Sequence, residues 1–265
     1  MAGRFTLISL APVFTALIQQ PGNCPPRFIL NMLKLILGLG RFLYAWTRPF
    51  RVHNVHTAGC VGLFQAARLI PCFQESPAWD RQATAYLYRT LRTAFYRDGS
   101  HRERIWGYGF YALDNLQQAF EMAQSTGGMG AFETDYLRQL RRSYRWYAKT
   151  LGPGELKPSF GDDELSRMTW ILDAGARIRP PGLNRHYNVD RTRSYCFPAS
   201  GFAILRNGDG PTATYLNLTF GRFAGWHSHH DLLSMNLWAF GEPLIEECGR
   251  FQSYGEPLDI LFRAP

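Results

Sequence analysis

From Pro26 to about Gly175, apolar and aromatic residues return every three to four positions between short polar breaks, the period of helices that bury one face. The spacing predicts helices near 28–47, 56–72, 78–96, 105–125, 132–151 and 163–174. Proline lacks an amide hydrogen and glycine enters left-handed backbone cheaply, so helices stop where such residues fall. Arg48-Pro49, Ser76-Pro77, Asp98-Gly99, Gly127-Gly128 and Gly152-Pro153-Gly154 sit at these breaks. Beyond Pro180 a Pro/Asn/Arg-rich linker leads into strand-like runs at 201–205 and 212–220, joined by the turn Asn207-Gly208-Asp209-Gly210. Further runs at 232–240 and 243–247 flank Gly241-Glu242. The expected fold class is α+β: helical hairpins over 1–180, then the first strands of an antiparallel sheet over 181–265. A sheet of these strands alone leaves an edge and an apolar face without a partner, so it is expected to continue past Pro265.

Composition narrows the partners. Apolar residues make up 46% of the 265 positions, enough for a sizeable core, and 29 Lys+Arg against 21 Asp+Glu give a net charge of +8. That balance favours a polyanion. The basic residues are dispersed (Arg81, Arg89, Arg92, Arg97, Arg138, Arg141, Arg142, Arg145), without zinc-finger spacing or an RNA-binding aromatic signature, so nucleic acid is not expected. Thirteen Tyr and seven Trp offer flat rings of the kind that stack on sugars. Five cysteines without CxxC spacing predict no disulfide framework. The apolar run Phe5 to Ile18 after Arg4 outlines a signal peptide, but no small-residue cleavage site follows. Residues 28–46 are strongly apolar yet carry Asn31, Lys34, Arg41 and two glycines, which predicts a buried core helix and no integral membrane span.

The stretch from Gly225 to Ser234 gathers His227, His229, His230 and Asp231. Were it extended, the two-residue period would place His227, His229 and Asp231 on one face and His230 on the other. Glu246 and Glu247 follow across a predicted turn, where a returning strand can bring a carboxylate beside His229. Two histidines and a carboxylate make a common zinc set that wants one further ligand. A surface cluster or a closed hydrogen-bond network is the competing reading of the same residues.

The block FPASGFAILRNG, then FGRFAGWHSHHDLLSMNLWAFGEPLIEECGR and FQSYGEP, resembles the C-terminal signature of the heparinase II/III-like polysaccharide lyases. Upstream, HNVHTAGCVGLFQAARLIPCF and YRDGSHRERIWGYGFYALDNLQQAFEMA are similar to that family's helical half, with Asn54 and Tyr108 separated by 54 residues. The resemblance implies an incomplete (α/α) toroid of helical hairpins followed by a β-sandwich, and β-elimination on an acidic glycan containing uronate, alginate-like or heparin-like. It implies that Asn54, helped by His53 or His56, neutralises the uronate carboxylate, that Tyr108 is the acid or base at the scissile oxygen, and that His227 is a second proton-transfer group. Arg102, Arg104, Trp226 and Tyr254 join His53 in contacting the glycan, and His229 with Glu247 binds a structural zinc. It also implies an extracytoplasmic setting, in the periplasm, cell envelope or medium.

Relatives have Asp where Glu247 stands, and a further zinc-binding histidine beyond it that does not occur before Pro265, so the chain is expected to be a truncated member with an incomplete metal site. Two other functions stay open on the residues: a glycan-binding fragment without turnover, and a zinc hydrolase using water on His227, His229 and Glu247.

Overall fold

The computed structural model describes residues 24–130, 133–163, 166–168, 189–225, 227–247 and 249, with 13, 14, 16, 17 and 19. Five helices precede a five-stranded sheet: α1 (Pro26–Trp46), α2 (Asn54–Leu69), α3 (Ser76–Thr93), α4 (Trp106–Ser125) and α5 (Glu133–Thr150), then β1 (Tyr195–Phe197), β2 (Phe202–Arg206), β3 (Tyr215–Thr219), β4 (Met235–Ala239) and β5 (Glu242–Ile245). The expected α+β order holds. Each of the first five predicted helices is found within three residues of its expected ends. The expected helix at 163–174 is not seen where the chain is described: Asp163, Ser166 and Met168 are non-helical, and Arg167 bridges to Leu156 in antiparallel fashion. The rest of that segment lies outside the described residues.

The chain divides into two compact units, Met1–Thr93 with Asp114–Tyr136, and Ala94–Leu113 with Leu137–Pro265. In the first, α2 buries nearly its whole circumference from Asn54 to Ala67. Small residues allow this: a Cβ on Gly59 would lie 2.6 Å from the Trp46 ring. α1 buries only Met32, Ile36, Gly40 and Leu43, one stripe at helical spacing, while Phe28, Leu30, Leu35 and Phe42 are exposed. The core helix expected from its overall apolarity is therefore a one-sided helix. By length and composition it is also long and apolar enough to cross a membrane.

In the second unit the strands run β1-β2-β3-β4-β5, each antiparallel to the next. β1 was not foreseen, being three residues long. Alternation buries Phe202, Ile204, Tyr215, Asn217, Thr219, Asn236 and Trp238. Trp146 of α5 meets Phe202 edge-on at 5.4 Å between centroids, and Phe160 lies 5.9 Å from the same ring. The carbonyls ending α5 find donors in this sheet: Tyr215 Oη reaches Thr150 O at 2.5 Å and Arg206 Nη2 reaches Lys149 O at 2.7 Å. Three polar residues on the buried face, Asn217, Thr219 and Asn236, depart from the apolar pattern. Two of them support the site.

Candidate active site

Within the second unit, the 227–229 loop packs against the segment 159–163. The loop is turn and coil, so the alternation that an extended backbone would give its histidines does not apply. His227 and His229 nevertheless converge, on a residue the sequence reading did not single out. Asp162, whose side chain is 1% exposed, accepts from His227 Nδ1 on Oδ2 at 2.8 Å and from His229 Nε2 on Oδ1 at 3.1 Å. Its amide donates to His227 O at 2.9 Å.

The backbone geometry requires glycine beside it. Gly161 has φ +61, and a Cβ there would stand 2.4 Å from Ile105 Cδ1 and 2.6 Å from His227 O. Asp163 turns the other way, accepting from Gly107 N in the first turn of α4 at 2.8 Å and pairing with the buried Lys157. That turn carries Tyr108, whose ring stacks on His227 with centroids 4.4 Å apart and planes 18° apart.

His229 lies between two carboxylates. Its Nδ1 is 3.5 Å from Glu247 Oε1, while Nε2 faces Asp162. Hydrogen bonding to Asp162, and then Glu247, holds its imidazolium form and raises its pKa from 6.5 to about 9 against the desolvation that would lower it. Burial pushes the Glu247 carboxyl up, but the bonds from His229 and Ser234 outweigh it and leave the pKa below the usual value. Asn236 accepts from Glu247 N at 3.1 Å and donates to Ser159 O at 3.0 Å, tying β4 to both carboxylate-bearing segments.

Asp231 is buried, and desolvation raises its pKa against the opposing pull of Arg104. The expectation that Arg104 meets substrate needs correction: it is 2% exposed. Its guanidinium donates to Thr219 Oγ1 and to Arg222 O and lies over the Phe202 ring. Burial demands such partners of a cation, so Arg104 braces the loop that leads to the histidines. Arg102 is exposed over Tyr96. His230 stacks on Phe223 at 4.8 Å, on the rim of a cleft lined also by Arg222, His229, Asp231 and Leu232.

In the first unit, His53 rather than Asn54 caps α2, its Nδ1 accepting from Val55 N at 3.1 Å. Asn54 opens the helix at 1% exposure. His56 is equally buried, with Nε2 on Thr47 O at 2.8 Å, Nδ1 3.6 Å from Cys60 Sγ, and the Phe50 ring 5.2 Å away between centroids. Burial lowers its pKa. The helper role expected for His56 is corrected to a neutral tie inside the core. Trp226 and Tyr254 lie outside the described residues.

Two family profiles match: "Heparinase II/III N-terminus" over residues 6–176 and "Heparinase II/III-like, C-terminal" over residues 190–265. A heparin-sulfate lyase of Bacteroides stercoris is 25% identical over 238 residues, spanning 81% of this chain and 36% of that protein. A crystal structure of heparinase III superposes with a TM-score of 0.83 at 17% identity, covering 98% of this chain and 45% of that one. Heparan sulfate lyase HepC from Pedobacter heparinus gives 0.75 at 20% identity, with 98% and 42% covered. The chain thus spans less than half the length of these relatives. The likeness places the chain in the fold class of heparinase III, and the described residues show five helices followed by one five-stranded antiparallel sheet.

Proposed function

The chain belongs to the heparinase II/III family, and from that membership we propose that it acts in the eliminative cleavage of a uronate-containing glycan, heparan sulfate first among them. The observation that carries the reading is the stack of Tyr108 on His227, with His227 bonded in turn to a buried carboxylate. Elimination needs two proton transfers on one sugar. A base removes the proton from the carbon next to the uronate carboxylate, the bond to the glycosidic oxygen breaks, and that oxygen takes up a proton as the double bond forms. A phenol and an imidazole held face to face are groups of the kind that make such transfers. Negative charge builds on the carboxylate meanwhile and needs a polar donor to stabilise it, the role that the family resemblance gives to Asn54 with His53. Trp226, Tyr254 and Arg102 extend the glycan contact, and the setting is extracytoplasmic.

A structural zinc on His229 and Glu247 belongs to the same proposal. Their separation of 3.5 Å, at the outer reach of the hydrogen bond they share without metal, is close to the roughly 3.3 Å between two donors on a tetrahedral zinc with bonds of about 2.0–2.1 Å. Asp162 on the opposite ring nitrogen is then the outer partner that orients such a histidine. Among the described residues no group of three or more His, Cys, Asp or Glu could hold a metal, so the pair supplies two of the four positions. Zinc there would link the histidine loop to the end of β5.

The test is to incubate the protein with heparan sulfate, heparin and alginate while following the ultraviolet absorbance of unsaturated uronate ends. New absorbance with one polymer, lost on Tyr108→Phe, is the expected result. No absorbance with any polymer refutes the lyase reading, and retention of a polymer without cleavage would put glycan binding in its place.

A further inference from the structure

The two acid–base candidates come from distant parts of the chain, and one dipeptide touches the supports of both. Asp162 faces the histidine loop, and Asp163 faces the first turn of the helix that carries Tyr108. The two side chains bond to different segments, so Asp162-Asp163 reaches two stretches that have no covalent reason to meet. From this geometry we infer that Asp162 is a positioning residue: it fixes the tautomer and ring plane of His227, while Asp163 anchors the turn that lays Tyr108 against it.

Three bonds define the constraint. A buried carboxylate accepts and cannot donate, so the hydrogen on the 2.8 Å contact belongs to His227 Nδ1. The lone pair of the neutral ring is then on Nε2, at the opposite edge. The Asp162 amide holds the backbone of the same histidine at 2.9 Å, which stops the loop from sliding along the carboxylate. Oδ1 occupies His229 Nε2 at 3.1 Å, so the carboxylate cannot swing away from one histidine without leaving the other. Tyr108 covers one face of the ring, and with Nδ1 held by the carboxylate a proton exchanged by His227 passes through Nε2. The orienting carboxylate behind a catalytic imidazole is a recurrent arrangement on unrelated folds, where loss of the correct tautomer costs about 10⁴ in kcat.

The consequence for turnover rests on the lyase reading, whereas the tautomer does not, and the test separates them. Nitrogen NMR of the full chain with ¹⁵N-labelled histidine, its seven rings assigned by substitution, reads both ring nitrogens of His227 at a pH where the ring is neutral. The expected signature is a protonated Nδ1 and an unprotonated Nε2. Asp162→Ala should redistribute the proton toward Nε2, and Asp162→Glu should restore part of the original pattern. In the cleavage assay Asp162→Ala should lower kcat about 10²- to 10⁴-fold while KM changes little. A His227 protonated on Nε2 in the unaltered chain overturns the inference without requiring any variant to fold. So does an Asp162→Ala protein whose His227 signals match the parent. The expected tautomer and its response to Asp162→Ala, in a protein that cleaves no polymer, would uphold the positioning role and refute the lyase reading.

Discussion

Replacing Gly161 by alanine should cost this protein about 3 kcal/mol, and the size can be built from two separable parts. The first is backbone: at φ +61 an L side chain meets its own carbonyl, at roughly 1 kcal/mol. The second is contact. Ile105 Cδ1 at 2.4 Å can rotate aside, but His227 O at 2.6 Å is main chain and can retreat only by stretching the bond from the Asp162 amide, about 1 kcal/mol, with packing strain of about 1 kcal/mol more. Two other glycines isolate the parts. Gly225 shares the positive φ at +83 but has nothing within 4 Å, so Gly225→Ala should lose only the backbone cost. Gly210 has open space and no positive φ, so Gly210→Ala should stay within about 0.5 kcal/mol. Equilibrium urea unfolding of all three, read as midpoint shifts at constant slope, is the assay. Should Gly161→Ala fall no further than Gly225→Ala, the close approach of the 159–163 segment to the histidine loop is not what the structure says it is.

Other outcomes follow from the same geometry. In metal-free protein, His229 titrates near 9 when folded and near 6.5 when unfolded, so its contribution, up to about 3 kcal/mol, is complete below pH 6.5 and disappears as pH rises through 9. Urea midpoints across that range should fall, and His229→Gln should flatten the slope; an unchanged slope would contradict the two-carboxylate environment. Tyr108→Phe keeps the stack on His227 but removes the hydroxyl, so kcat should drop about 10²- to 10⁴-fold, as measured by unsaturated-end absorbance, and an unchanged kcat would remove Tyr108 from the proton transfers. Arg104→Lys should destabilise by about 1–3 kcal/mol because a single ammonium cannot reproduce a planar fork over Phe202 bonded to both Thr219 and Arg222 O, and a parent-like thermal melt would refute its bracing role. Zinc measured at equilibrium with free metal should bind weakly, as two of four positions allow, and less on His229→Ala; equal binding by both would place any bound zinc elsewhere.

The helical half was readable because its signals are local. Apolar spacing and Pro/Gly breaks are written within each segment, so α2 through α5 appear near their expected places. α1 misled for a physical reason: its overall apolarity suggested full burial, yet only the stripe Met32, Ile36, Gly40 and Leu43 is fully buried, a distinction that position on the helix makes and composition cannot. The hairpin between β2 and β3 was announced by its Asn-Gly-Asp-Gly turn, whereas three-residue β1 carries too few alternations to register.

The site was legible only in part, and the division follows sequence distance. The histidine cluster stood out because its members are adjacent, and Glu247 could be paired with His229 because a short turn was expected to return it. Asp162 lies 65 residues before His227, just ahead of the helix expected at 163–174, where nothing local marks it as a partner of the histidines. What did mark the region was misplaced polarity: Thr219 and Asn236 occupy inward positions of β3 and β4 where the alternation demands apolar side chains. Buried polar groups require partners, and tracing theirs leads through Arg104 to the loop and through Ser159 and Glu247 to both carboxylate segments. An inward Thr or Asn in a predicted strand is therefore the local trace of a distant site, and here it points to the carboxylate that holds the imidazole in place.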